Sequence, residues 1–315
     1  MKIPSSSSNL IQDLYARMLL TPLVDECALS LQQQGYIRFV ASSRGYEAAQ
    51  VGSAICIEVG KDFTLPYYRD LGVVLTIGMT PYEVLRSYLH LSHSSPDLPG
   101  GSQVPQMHWG YHKHNMVTGP APVATQILHA AGIAFASKLR KTDIVTIAYC
   151  GDSATCEADF LEGARFAAQH QLPMIILCEQ DSPAGSTPSS LSKQIIALDL
   201  PEGLTLRHVD GSDILAVYEA MCAAMVHARS GRGPLLLELS VTSSTPPSLL
   251  PSTAPQADDP LVRCQNYMQR NGLWDETWAV QLHTRLQAEV ASALQDALRE
   301  YNGQEIEAKH KQNMI

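Results

Sequence analysis

Residues 143–160, DIVTIAYCGDSATCEADF, and residues 175–183, IILCEQDSP, set the architecture of this chain. Each begins as an apolar run and ends on an acid: Ile144 to Tyr149 leads to Asp152, and Met174 to Leu177 leads to Asp181. A short apolar run surfacing at a carboxylate is the pattern of a parallel strand buried on both faces. Between them, residues 157–169 carry Phe160, Ala164, Ala167 and Ala168 at helical spacing. A strand–helix–strand crossover brings both acidic tips to one edge of a sheet, the edge where open α/β sheets bind ligands. Two carboxylates there, Asp152 and Asp181, suit a hard cation such as Mg²⁺, with phosphate oxygens completing its coordination.

Outward from this unit the same alternation continues. Residues 10–34 read as a helix stopped by Gly35, 46–60 as an alanine-rich helix, and 81–90 as a helix opened by Thr80-Pro81. Residues 124–138 form the helix that enters the first strand. Its Ala130, Ala131, Gly132 and Ala134 mark a close-packed face, with the partner helix in this chain or another. A strand at 205–209, a helix at 213–229 and a strand at 235–241 complete the repeat. The expected fold is α/β, a parallel sheet flanked by helices on both faces, with helical N- and C-terminal extensions. Residues 1–9 read as a mobile lead-in, 10–302 as a single domain and 303–315 as a frayed tail. Residues 91–122, dense in Gly, Pro, Ser and His, are too long for a plain connection and are expected to line a site. Residues 242–260 carry Pro246, Pro247, Pro251, Pro255 and Pro260 and read as a mobile loop.

Composition narrows the function classes. A net charge of −9 argues against a nucleic-acid partner, which needs a basic footprint. The seven cysteines contain no C-x-x-C and read as reduced thiols, and no stretch approaches a membrane span. A cytoplasmic protein with no membrane partner is the expectation.

Further segments extend the pattern along the chain: RGYEAAQVGSA (44–54), LPYYRDLGV (65–73), HWG (108–110), PVATQ-x-x-HAAG (122–132), AYCGDSATCEADF (148–160), STP (186–188) and GLWDE (272–276). In this order they resemble the alpha subunit of thiamine-diphosphate-dependent 2-oxo-acid dehydrogenases, and most of all the branched-chain type. The resemblance implies the thiamine-diphosphate-binding fold, with thiamine diphosphate and Mg²⁺ as cofactors. It places Asp152, Asp181 and the carbonyl of Pro183 on the metal, and Tyr68 and Arg69 on the diphosphate. A planar guanidinium is apt there because it donates charge-assisted bonds in a fork. The backbone of Gly151, Asp152, Ser153 and Ala154 opens a helix toward the same anion. Pro122 and Val123 border the cofactor, Val123 as the apolar wedge that bends it. The resemblance further implies a beta subunit in an α2β2 heterotetramer, the beta chain supplying the glutamate that activates the cofactor. It also implies a 2-oxo acid substrate and a lipoyl-bearing acyltransferase as acceptor.

Three departures from the family pattern stand out. Gly-Asp-Gly reads Gly151-Asp152-Ser153, which requires a negative φ at Ser153. Asn-Asn reads Gln180-Asp181, and with Glu179 this adds negative charge beside a diphosphate. The arginine and histidine of the loop after the last strand are absent from 242–260, so no catalytic histidine is assigned. Beside a lipoyl-linked 2-oxo-acid dehydrogenase stand two other readings: a non-catalytic structural or regulatory paralogue, and thiamine chemistry without lipoyl transfer. At residue level, Asp152 alone can be a helix cap, Arg69 a surface partner of Glu83 or Asp70, and Val123 a core valine. Glu47 and Glu157 read as helix-surface or capping residues, and His108 and Asn115 as polar groups at the site mouth.

Overall fold

The computed structural model describes residues 8–94, 108–120, 122–181, 200–242 and 258–312. Within them five strands form one parallel sheet in the order β1-β2-β3-β5-β4: β1 (Phe63–Leu65), β2 (Thr146–Gly151), β3 (Met174–Asp181), β4 (Thr205–Asp210) and β5 (Leu235–Val241). The helices are α1 (Ser8–Gln33), α2 (Glu47–Ala54), α3 (Leu71–Ile77), α4 (Pro81–Ser94), α5 (Thr125–Leu139), α6 (Ala158–Gln169), α7 (Ile214–Arg229), α8 (Pro260–Arg270) and α9 (Glu276–Gln312).

Side-chain alternation along the strands divides the core. Ile147, Tyr149, Ile175, Leu177, Leu237 and Leu239 face α2, α3 and α7, while Ala148, Cys150, Ile176, Cys178 and Leu236 face α5 and α6. Helices therefore cover both faces, as the strand pattern requires. A third cluster joins the start of α1 to α8 and α9 through Leu14, Met18, Met268 and Leu286. Ala130, Ala131 and Ala134 of α5 are buried in the cluster shared with α6, where a Cβ on Gly163 would lie 2.9 Å from Ile127 Cγ2, whereas Gly132 points outward with no described atom within 4 Å of where a methyl would stand.

The register levels the strand tips. Gly151 pairs with Glu179, and Asp181 with Val241, so β2, β3 and β5 end side by side.

Boundaries differ where side chains cap locally. The helix expected at 46–60 ends at Ala54, because Asp62 accepts the Glu58 N–H and turns the chain toward β1. β1 and α3 go beyond the sequence expectation; three residues of strand give almost no periodicity. The lead-in before Ser8 lies outside the described residues, whereas the helix of the tail continues past Asn302 to Gln312. Most of the Pro-rich segment, 243–257, also lies outside them. Its end is no loop: Pro260 is the first residue of α8, and Asp259 Oδ1 accepts the Leu261 and Val262 N–H groups as its cap. No helix among the described residues is long and apolar enough to cross a membrane.

Candidate active site

At the C-terminal edge of the sheet, the turn after β1, the N-cap residue of α2, His108, Gly119, Pro120, Pro122, Val123 and the tips of β2 and β3 enclose a cleft of about 320 Å³. That is a size suited to a small organic ligand. Tyr68, Arg69, Pro122 and Val123 line it on one side; Gly151, Asp152, Ser153, Ala154 and Asp181 line it from the strand tips. His108 sits at the cleft as expected, while Pro183 lies outside the described residues.

Arg69 is nearly buried and held by aromatic rings. Its Nη1 donates to Tyr46 Oη at 3.3 Å, and its guanidinium lies 5.0 Å from the Tyr46 ring centre and 5.9 Å from that of Tyr68. Two rings within cation–π distance and the bond to Tyr46 Oη hold the fork in place. A pairing of Arg69 with Glu83 on the surface is not what forms. Glu83 closes a capping box with Thr80 and accepts from Tyr111 Oη, and Asp70 is fully buried, accepting the Tyr67 N–H.

Glu179 lies at the centre of the buried network. Tyr67 Oη donates to its Oε2 at 2.8 Å, and Gln50 Nε2 donates to the same oxygen at 3.3 Å. Gln50 also donates to the Arg69 carbonyl and accepts from the Gly72 N–H, tying α2 to the start of α3. Glu179 Oε1 is buried without a partner among the described residues. Burial pushes the Glu179 carboxyl up to about 7, although the bonds from Tyr67 and Gln50 and the charge of Arg69 pull the other way. The Tyr46 hydroxyl is bonded to Asp181. Three acids, Asp152, Glu179 and Asp181, thus share the cleft with one arginine.

The β2 tip departs from expectation in one respect. The turn after it, Asp152–Cys156, is 3₁₀ and α6 begins only at Ala158. Asp152 is the first residue of this turn, not its cap: its Oδ1 accepts only the adjacent Ser153 N–H at 2.7 Å, so the capping reading is not what forms, and that N–H is already engaged. Ser153 is not among the residues with positive φ, which is what replacement of a glycine there demands.

Further readings are corrected. Val123 is no core residue but 48% exposed at the cleft. It is displaced outward by Ala124, which is fully buried at a left-handed φ of 71° and opens α5. Asn115, with φ of 54°, donates to the Gly60 carbonyl instead of facing the cleft. Glu47 is only 2% exposed rather than on a helix surface; it accepts the Gly45 N–H, and burial pushes its carboxyl up to about 8. Glu157 is exposed at the N-cap of α6, as anticipated. Tyr46, Gln50 and Tyr67 are site residues that sequence reasoning misses. Gln50 and Tyr46 lie on an alanine-rich helix start whose only local signal is helix, and nothing in the sequence ties them to β3.

The Dehydrogenase E1 component family matches residues 15–305 of the chain. The alpha subunit of 2-oxoisovalerate dehydrogenase from Bacillus subtilis (strain 168) is 38% identical over 278 residues, covering 83% of this chain and 82% of that one. The pyruvate dehydrogenase E1 component subunit alpha of Staphylococcus aureus (strain Mu50) is 31% identical, covering 94% and 80%. That of Staphylococcus epidermidis is 30% identical over the same shares. These relationships support the enzyme-subunit reading and give no support to a non-catalytic paralogue or to thiamine chemistry without lipoyl transfer. With an ordered set of motifs, a parallel sheet and a cleft at its strand tips, the chain belongs to the dehydrogenase E1 component family, as the alpha subunit of a thiamine-diphosphate-dependent 2-oxo-acid dehydrogenase.

Proposed function

We propose that the cleft at the tips of β2 and β3 binds the diphosphate of thiamine diphosphate through Mg²⁺, within a complex that oxidatively decarboxylates a branched-chain 2-oxo acid. The observation that carries this reading is the meeting of Asp152 and Asp181 with the ring-held Arg69 in one cleft. The residues present fit a hard divalent ion. Asp152, Glu179 and Asp181 bring carboxylate oxygens to the lining of the cleft, and one Glu179 oxygen is buried without a partner among the described residues. Electrostatics supports the metal independently. A bare carboxylate ~5 Å from a phosphate charge costs roughly 3 kcal/mol at an effective dielectric of ~20, so a diphosphate is poorly received there without a cation. Among the described residues no group of three or more His, Cys, Asp or Glu is arranged as a closed metal site. Asp152 and Asp181 would therefore share the ion with backbone, phosphate and water, as Mg²⁺ commonly does.

When bound, thiamine diphosphate supplies the centre that takes up the electron pair released on decarboxylation. The chain's own residues bind and orient. Arg69, held by Tyr46 and Tyr68, offers charge-assisted donors to phosphate oxygens. Gln50 and Tyr67 hold Glu179, and Val123, standing out from the start of α5, offers an apolar contact to the cleft. A beta subunit in an α2β2 assembly would supply the activating glutamate, and a lipoyl-bearing acyltransferase would accept the acyl group. The name of the Bacillus subtilis relative supports a branched 2-oxo acid as substrate. Free cysteines among the described residues agree with a reducing, cytoplasmic setting.

The test is calorimetric titration of the copurified complex with thiamine diphosphate, with and without Mg²⁺, followed by dye reduction driven by 2-oxo acids. Metal-dependent binding, lost in Asp152→Ala, and turnover of branched acids are expected. Binding that ignores both the metal and Asp152 would refute the assignment of the site.

A further inference from the structure

Two thiols meet at the contact between α2 and α7. Cys56, in the turn after α2, and Cys222, in the third turn of α7, bring their sulfurs to 3.3 Å although 166 residues separate them in sequence. That is well inside ordinary sulfur–sulfur contact and about 1.3 Å from a covalent bond. The approach is built into the helices. A Cβ on Gly52 would lie 3.0 Å from Val217 Cγ1 and 3.1 Å from the Ile214 carbonyl oxygen, so the glycine lets the backbones close. One turn later Cys56 is aimed at Cys222, its Sγ also near the Gly52 and Tyr218 carbonyls. Both thiols are partly exposed.

We propose that Cys56 and Cys222 form a reversible intramolecular disulfide when the protein meets a hydroperoxide. The Cys222 thiolate attacks the terminal peroxide oxygen; the O–O bond breaks, an alcohol leaves and Cys222 becomes a sulfenic acid. Cys56 sulfur then attacks Cys222 sulfur; the S–O bond breaks and hydroxide leaves with the Cys56 proton as water. In sum two thiols are oxidised by two electrons, and one hydroperoxide is reduced to an alcohol and water.

The assignment of roles follows from the surroundings. The Cys56 sulfur lies beside the Gly52 and Tyr218 carbonyl oxygens, which oppose a thiolate there. Cys222 is instead held below the ordinary thiol value by hydrogen bonds from Cys56 and the Tyr218 hydroxyl, against its partial burial, so Cys222 is the nucleophile and Cys56 the resolving group. The other cysteines lack the combination. Cys150 and Cys178 are also neighbours, facing one another across β2 and β3, but they are buried beneath α5 and α6. Burial pushes Cys27 up to about 11 and Cys264 up to about 12, and Cys156 is exposed but, among the described residues, not beside another cysteine. The crosslink would fasten the far end of α2, the helix that carries Gln50, to α7.

The experiment treats the full-length protein, with whatever chains copurify, with hydrogen peroxide. It then blocks free thiols and maps peptides without reduction. A Cys56–Cys222 crosslinked peptide, dominant over any Cys150–Cys178 product and removed by dithiothreitol, is expected. The thermal midpoint should rise with the crosslink and fall back on reduction. In Cys56→Ser, which keeps a hydroxyl donor, Cys222 should halt as a sulfenic acid trapped by a 1,3-diketone. In Cys222→Ser, Cys56 should stay reduced. Peroxide-treated wild-type protein in which both thiols alkylate freely, or Cys222 accumulates as sulfinic acid with no crosslink, would overturn the proposal.

Discussion

In the site proposed above, Arg69 is the residue assigned to the diphosphate, and its aromatic neighbours distinguish it from a lysine. Arg69→Lys keeps the charge but loses the planar fork and the stacking on Tyr46 and Tyr68. Loss of one or two charge-assisted bonds, about 1.5–3 kcal/mol each, should weaken thiamine diphosphate by at least tenfold in calorimetry, with the thermal midpoint of the free protein little changed. The buried acids give a second residue-scale expectation. Asp25, Glu47 and Glu179 are held above their ordinary values, at about 6, about 8 and about 7, in each case chiefly by burial. Their folded forms hold protons that the unfolded chain has released. The stability they contribute is therefore complete below about pH 4 and lost as pH rises through 8. Glu47→Gln, which keeps an acceptor for the Gly45 N–H, should flatten urea-midpoint profiles between pH 5 and 8 and stabilise the protein at pH 8 by roughly 2 kcal/mol or more. An unchanged pH slope would show that Glu47 does not titrate in that range. Legibility at this scale is uneven. Asp152, Asp181 and Arg69 are given roles by their motifs and reach the cleft, whereas Tyr46, Gln50 and Tyr67 stand in the same quoted segments and gain a role only through tertiary contacts.

At the scale of elements, two glycines on opposite sides of α5, one packed and one open, have opposite consequences. Gly163 of α6 sits against Ile127 of α5, where an added Cβ would meet side chain at 2.9 Å and backbone oxygen at 3.2 Å. Gly163→Ala should force the helices apart and lower stability by about 1–3 kcal/mol, net of a small gain in helix propensity, as read from denaturant midpoints. Gly132, on the outer face of α5, has no described atom within 4 Å of where a methyl would stand. Gly132→Ala should stabilise the separated chain by up to about 1 kcal/mol. If another subunit packs on that face, the same change should instead weaken assembly in sedimentation. The small-residue pattern announces a close helix contact but not its partner, because composition does not carry a direction in space. The Pro260 boundary is misread from sequence for a related reason: Asp-Pro is equally a turn and a helix start, and the apolar face of α8 settles which.

For the whole molecule, the cofactor and metal proposed for the acidic cleft are coupled to stability by mass action. A ligand that binds only the folded protein stabilises it in proportion to occupancy, by ~2.7 kcal/mol at a hundredfold excess over Kd. Thiamine diphosphate and Mg²⁺ together should raise the thermal midpoint of the assembled protein by several degrees, while thiamine diphosphate with a chelator should raise it little. The reason is the excess of Asp152, Glu179 and Asp181 over Arg69 around one space. An equal shift without metal would mean that the acids are neutralised by some other group.

The division between chain and fold follows from the range of the forces involved. Strand and helix alternation, the buried parallel sheet and the two acidic strand tips are legible because they rest on periodicity within a dozen residues and on how a strand must end. Which side chains meet at those tips is settled by packing: α2 crosses α3 and α7 so that Gln50 and Tyr46 arrive beside β3, more than 120 residues away in the chain. The outward placing of Val123 likewise rests on the left-handed Ala124, a conformation no local propensity favours and only the surrounding core enforces.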